Sequence, residues 1–230
     1  MADLAERIIV KAEQVTKQYH LGKTIVHALR GVDLSVMQGE FLAIAGPSGS
    51  GKTTLLNLVG CIERPTTGQV WIGGVDLSTQ SSDALADLRA HQIGFVFQSF
   101  NLLPVLTAIE NVEYPLLLSP MPTKDRRDRA RRALESVGLA QVARHRPTEL
   151  SGGQQQRVAI ARAMVTDPLL VLADEPTANL DSKTGQEILQ LMRSINQSRR
   201  TTFVFSTHDH KVMDMASRIV RLSDGAVAQA

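Results

Sequence analysis

The sequence predicts an α/β fold in which a mainly parallel sheet is covered by helices, an antiparallel β-subdomain stands at the N-terminal end, and an α-helical subdomain is inserted. Three observations carry this. Short runs apolar on both faces recur, helical periodicity separates them, and one long stretch lacks strand signals altogether. The runs are Glu40–Ala45, Ile93–Phe97, Leu169–Ala173 and Thr201–Ser206, which fit central strands of a parallel sheet; the second and fourth also fit half-exposed ones. Thr53–Val59 follows the first run as a helix, and Ser182–Asn196 sets Ile188, Leu189, Met192 and Ile195 on one stripe. Alternation in Ile8–Val15 and the stretch Val26–Val36 point to antiparallel strands, and Gln69–Ile72 enters a hairpin turning on Gly73-Gly74. From Asn101 to about Arg162 strand signals vanish. There Thr123 is the expected N-cap of a helix running to Val137 and closed by Gly138. The expected unit is one domain over residues 8–230, with the insertion at about 99–162.

Composition narrows the class. With 43% apolar and 21% charged residues the chain is too apolar for a disordered one. Its longest apolar stretches, such as Phe41–Ala45, fall far short of the roughly 20 residues that a membrane-spanning helix requires. Met1-Ala2-Asp3-Leu4-Ala5-Glu6 carries acids and no apolar core, so no secretory signal is read there. The single Cys61 excludes an internal disulfide and a multi-cysteine metal site, and its apolar neighbours make it a small core residue. A formal charge of +2 is too small to argue for nucleic acid. A cytosolic protein is expected.

Gly46-Pro47-Ser48-Gly49-Ser50-Gly51-Lys52-Thr53 fits the G-x-x-x-x-G-K-[ST] phosphate loop, with an apolar strand before it and an apolar helix after it. Glycines let the backbone curl until successive N–H groups face phosphate oxygens, and the helix beginning near Gly51 adds its positive dipole end. Lys52 suits the β- and γ-phosphates, and the Thr53 hydroxyl suits Mg²⁺.

Leu169–Ala173 delivers Asp174 and Glu175 to the carboxyl end of a buried strand, where ligands of open α/β sheets bind. Adjacent strand residues point to opposite sides, so the two acids serve different places. Asp174 is the better metal candidate and Glu175 the better base for an attacking water. On their own, two solvated acids at a strand end would look the same.

A second glycine motif, Leu150-Ser151-Gly152-Gly153-Gln154, precedes a helix expected from about Gln155 to Val165. Ser151 and Gln154 fit a capping box. That leaves Gly152 and Gly153 unexplained, each costing about 1 kcal/mol against alanine in a first helical turn. Bare backbone there would let an anion approach.

Gly46–Thr53, Gln98, Leu150–Gln154, Asp174-Glu175, Asn179-Leu180-Asp181 and His208 follow the order found in ATP-binding-cassette (ABC) ATPases, which the chain resembles from about residue 8 to 225. The resemblance implies a P-loop NTPase core and an ATPase using ATP and Mg²⁺. It makes Tyr19 the ring that stacks on adenine, and Gln98 the residue that senses Mg²⁺ and the attacking water. Ser48, Gly49, Ser50 and Thr54 join the phosphate cradle, and His208 contacts the γ-phosphate. Ser151, Gly152, Gly153 and Gln154 would meet the nucleotide held by a second copy in a head-to-tail dimer, with Asp181 at the seam. Catalysis is thereby assigned to Glu175, His208, Gln98 and Lys52, and metal binding to Thr53, Gln98 and Asp174.

Gly60–Gly68, Ile93–Pro104 and Glu110–Leu116 are similar to the ATPases of macrolide export and lipoprotein release. That branch implies an integral membrane permease as separate partner, hence a cytoplasmic protein held peripherally at the inner membrane face. It also implies export, or extraction of lipid-linked or hydrophobic cargo. ATP-dependent regulation of an envelope partner without transport is the alternative, and no nucleic-acid partner is expected. Because the sequence stops soon after His208, no appended regulatory domain is expected. Lys124, Arg126, Arg127, Arg129, Arg131 and Arg132, against Asp125 and Asp128, form either a solvated face or a contact with anionic headgroups or the partner.

Overall fold

In the computed structural model, residues 7–228 are described; the readings of Met1–Glu6 and of the domain's last two residues lie outside them. In chain order come β1 (Ile8–Leu21), β2 (Thr24–Met37), β3 (Phe41–Ala45), α1 (Lys52–Val59), β4 (Thr67–Ile72), β5 (Val75–Asp76), α2 (Ser82–Gln92) and β6 (Ile93–Phe97). The inserted region carries α3 (Ala108–Glu113), α4 (Thr123–Ser136) and α5 (Gly152–Met164). Then follow β7 (Leu170–Asp174), α6 (Ser182–Arg199), β8 (Thr202–Thr207), α7 (His210–Met215), β9 (Arg218–Ser223) and β10 (Ala226–Val227).

Alternation builds the first sheet, an antiparallel four-stranded one of order β2-β1-β4-β5. Continuous apolar runs build the second, a six-stranded sheet of order β10-β9-β3-β8-β7-β6 that is parallel except at the β10 edge. Its strands are apolar on both faces because each face is covered. Phe41, Val171, Phe203 and Phe205 pack with α3, α4, α5 and α6 on one side. Leu42, Ile44, Leu172 and Val204 pack with α1, α2 and the antiparallel sheet on the other. β8 is buried throughout, whereas β6 is the edge strand and leaves Phe95 and Phe97 half-buried. The half-exposed alternative thus holds for β6 and fails for β8.

Two helix boundaries differ from expectation. Pro122, not Thr123, precedes α4, and Thr123 is its first helical residue with no side-chain cap. Pro122 takes the N-cap position without a side-chain acceptor, and the Thr123 hydroxyl accepts instead from Arg126 Nη2 (3.2 Å). α5 begins at Gly152 rather than near Gln155, because the box formed by Ser151 and Gln154 places the first turn on the glycines themselves. α2 was not anticipated: of its side chains only Leu85 and Leu88 are buried, too sparse a stripe to read as a period. Cys61 is buried in the core as expected, and burial, opposed by Arg89, pushes its thiol up to about 11. Among the described residues, no helix is long and apolar enough to cross a membrane.

Register makes the site. Phe97 lies level with Asp174, Asp174 with Ser206, and Ala45 with Thr207. The residues leaving these strands, namely Gly46, Gln98, Glu175 and His208, therefore emerge along one sheet edge.

Candidate active site

Gly46 leaves β3 where a Cβ would come within 2.1 Å of the Leu222 carbonyl oxygen, so no side chain fits. Gly51 caps α1 at φ 102, a left-handed conformation natural to glycine. At Gly49, also left-handed, a Cβ would meet open space. The buried Lys52 curls back, its Nζ donating to the carbonyls of Gly46 (2.8 Å) and Pro47 (2.9 Å) and holding the loop closed. Ser81, Thr107, Ser151, Asp181 and Asp209 cap α2, α3, α5, α6 and α7 with side-chain oxygens, but α1 receives no such cap. Its first-turn N–H groups thus keep their capacity for an anion. Beneath the loop the Ser50 hydroxyl is buried with no hydrogen-bond partner.

The two acids part as expected, though the cause is a turn at Glu175, which lies just beyond β7. Asp174 turns to Thr53, whose Oγ1 lies 3.1 Å from one carboxylate oxygen and 3.4 Å from the other. An alcohol and a carboxylate converging this way form a hard-oxygen donor pair that fits Mg²⁺. Glu175 turns instead to His208, with Oε1 2.7 Å from Nδ1, while the Thr207 hydroxyl approaches its other oxygen at 3.4 Å. Glu175 holds φ 46, a left-handed conformation costing a non-glycine residue about 1–2 kcal/mol. Gln98 pairs with Asn179 in both directions: its Nε2 donates to Asn179 Oδ1 (3.3 Å), and Asn179 Nδ2 donates to the Gln98 carbonyl (3.1 Å).

These groups meet in a cleft of about 450 Å³ lined by Ser48, Gly49, Gly51, Lys52, Thr53, Thr54, Gln98, Asp174, Glu175 and His208, together with His27 and Ser206. His27 and Ser206 went unread in the sequence. Ser206 is fully buried with an unpartnered hydroxyl, and its place inside an apolar run two residues before His208 was its only signal.

Other expected site residues lie elsewhere. Tyr19 does not line the cleft; its hydroxyl donates to both Glu63 oxygens (2.8 and 3.0 Å), and Lys17 Nζ sits 5.1 Å from its ring centroid. Burial, with the Glu63 bond, pushes the Tyr19 phenol up. Burial would also raise Glu63, but hydrogen bonds from Lys17, Tyr19 and Asn57 outweigh it and hold the carboxyl below its usual range. None of Leu150–Gln154 lines the cleft either. Ser151 and Gln154 close the expected capping box: Gln154 N donates to Ser151 Oγ (3.3 Å) and Ser151 N to Gln154 Oε1 (2.9 Å). This leaves the Ser151 O–H free to donate. The glycines separate in role. A Cβ on Gly153 would strike Thr184 Cγ2 at 2.5 Å, so packing within the chain excludes a side chain there. One on Gly152 would make only ordinary contacts, with Leu180 at 3.4 Å and Phe100 at 3.8 Å. Asp181 is exposed and caps α6, and hydrogen bonds from Thr184 and then Lys183 lower its carboxyl.

The basic run is largely engaged within the chain. Arg126 and Arg127 lie 3.5 and 3.9 Å from Glu113, Arg129 2.6 Å from Asp167, and Arg131 2.9 Å from Asp128.

Residues 29–178 match the family described as ABC transporter. An uncharacterized ABC transporter ATP-binding protein of Thermotoga maritima is 52% identical over 219 residues, covering 95% of this chain and 93% of the relative. The macrolide export ATP-binding/permease protein MacB of Marinobacter nauticus is 44% identical over 98% of this chain, which spans only 35% of that protein. Among solved structures, the dimeric cassette MJ0796 of Methanocaldococcus jannaschii, bound to ADP and Pi in a post-hydrolysis state, superposes with a TM-score of 0.88. It is 48% identical, with 96% of this chain and 97% of that one covered. The family match over residues 29–178 and the 52% identity to a relative covered to 93% show that the chain belongs to the ABC transporter family.

Proposed function

We propose that this ABC-type ATPase dimerises on Mg·ATP and drives a separate integral membrane permease, exporting or extracting lipid-linked or hydrophobic cargo. The observation that carries this reading is a division of labour. Phosphate loop, Thr53–Asp174 pair and Glu175–His208 pair share one cleft, while Ser151, Gly152 and Gly153 line no part of it. A half-site without its complement calls for a second copy, and the MJ0796 structures are described as dimeric. MacB, named as ATP-binding protein and permease together, supports a permease as the partner here. Through that permease the protein would sit peripherally at the cytoplasmic membrane face.

In this reading Lys52 leaves its two carbonyls for the β- and γ-phosphates, and the uncapped first turn of α1 donates N–H groups to them. Thr53 and Asp174 would hold Mg²⁺, aided by Gln98; bound there, the ion offsets phosphate charge. Glu175 orients the attacking water and accepts its proton, its carboxylate steadied by His208 and Thr207. His208 spends Nδ1 on Glu175 and keeps its other ring nitrogen for the γ-phosphate. Tyr19 supports the base, and Ser151 of the second copy adds its free O–H to the γ-phosphate.

Glu175→Gln tests the assignment. Steady-state hydrolysis should fall by about 100-fold or more with ATP affinity retained. Turnover unaltered by the substitution would remove Glu175 from the base role.

A further inference from the structure

The helix bearing Ser151–Gln154 also grips the loop that follows Gln98. Arg162 lies in the last turn of α5 and is half-buried. Its Nη1 donates to the Asn101 carbonyl (2.5 Å) and its Nη2 to the Phe100 carbonyl (2.8 Å). Phe100 and Asn101 hold φ 59 and 50, two consecutive left-handed residues of which neither is glycine. Such a pair persists only where the surroundings over-determine it, and a planar two-pronged donor across successive carbonyls does that. At its other end α5 meets the same loop, since Phe100 Cζ lies 3.8 Å from where a Gly152 Cβ would stand, beside Leu180. Gln98 stands two residues before Phe100 and is paired to Asn179, next to Leu180.

We infer that Arg162 is a positioning residue that locks the Gln98 loop to α5, so that when Ser151 and Gly152 engage a second copy's nucleotide, Gln98 in the same chain is drawn into place. The inference rests on the two-copy reading above. Arg162 touches neither phosphate nor water; it acts through the backbone of residues 100 and 101. Lysine, a single-point donor, replaces half of the fork, and glutamine, whose amide nitrogen ends two bonds short of the guanidinium Nη atoms, reaches neither carbonyl.

The test compares Arg162→Gln, Arg162→Lys and the double variant Arg162→Gln/Asn101→Gly with the parent full-length chain. Readouts are ATP affinity by equilibrium titration, kcat and KM for ATP, and the Hill coefficient. Arg162→Gln should bind ATP within twofold of the parent, lose about tenfold in kcat, and show a Hill coefficient reduced toward one. Arg162→Lys should fall between the two. Glycine occupies the left-handed region unaided, so Asn101→Gly should restore part of the kcat lost in Arg162→Gln. A purely structural role would instead lower active fraction and melting temperature with kcat per folded chain unchanged, overturning the inference. Parental kcat and Hill coefficient in both single variants would also overturn it. A parent that neither hydrolyses ATP nor dimerises would fell the function reading itself, which the variants do not touch. Should Arg162→Gln fail to fold, Arg162→Lys alone decides: parental kinetics reject the lock, and a kcat loss at unchanged ATP affinity supports it.

Discussion

At the scale of single residues, environment decides role. Asp174 and Glu175 are neighbours in sequence yet pair with Thr53 and His208 respectively, because Asp174 ends the extended strand while Glu175 turns into the left-handed region at φ 46. Glu63 lies outside the phosphate motifs, but its carboxylate fixes the Tyr19 hydroxyl and accepts from Lys17 and Asn57. If Tyr19 stacks on adenine as proposed, Glu63→Gln should loosen its ring and raise KM for ATP several-fold with kcat nearly constant, the pattern of lost uniform binding. An equal fall in kcat would contradict it. The Glu63 carboxyl is held low, so its stabilisation is present above the ordinary carboxylate pKa and disappears as pH falls through the lowered one. The gap in melting temperature between parent and Glu63→Gln should accordingly narrow in acid; a gap that widens would reverse the sign. Cys61 works in the other direction. Its thiol, raised to about 11, stays protonated in the fold while an unfolded thiol ionises near its ordinary value, so stability is lost as pH rises through that interval. The loss is on the order of 3 kcal/mol, and it should be missing from Cys61→Ala in urea melts between pH 8 and 11.

Secondary-structure elements show how much was legible. The phosphate loop and the capping box were readable because each rests on short-range chemistry, backbone curvature and reciprocal hydrogen bonds; the strand-end acids were readable from their apolar run, while their divergence comes from the left-handed turn at Glu175. The Thr123 cap misread the same kind of short-range signal, as Pro122 already takes the N-cap position. What the sequence could not carry were contacts between distant segments. Arg162 on the Phe100 and Asn101 carbonyls, Gly153 against Thr184 and the buried Ser206 hydroxyl all depend on tertiary approach. The glycine pair of α5 makes the point measurable. Gly152→Ala should stabilise the fold by about 0.5–1 kcal/mol, since alanine favours the helix and finds room. Gly153→Ala should destabilise it, and Thr184→Ser, which removes the obstructing methyl, should recover the loss. Thermal melts of the three variants check this; equal responses at both glycines would refute the packing explanation.

For the whole molecule, the sheet acts as a common floor. β3, β6, β7 and β8 end in register and deliver Gly46, Gln98, Glu175 and His208 to one edge, while α3, α4, α5 and α6 share a continuous core with one face of the same strands. The α5 terminus is thereby carried rigidly on the body that holds the cleft, yet outside it. In the proposed reading hydrolysis requires two copies, each lending the other its Ser151–Gln154 surface. The most direct measurement is the solution mass of full-length Glu175→Gln by light scattering in saturating Mg·ATP. The account predicts twice the monomer mass with two nucleotides bound, reverting to monomer when ADP replaces ATP. A monomer in saturating Mg·ATP, with nucleotide bound and its permease supplied, would contradict it.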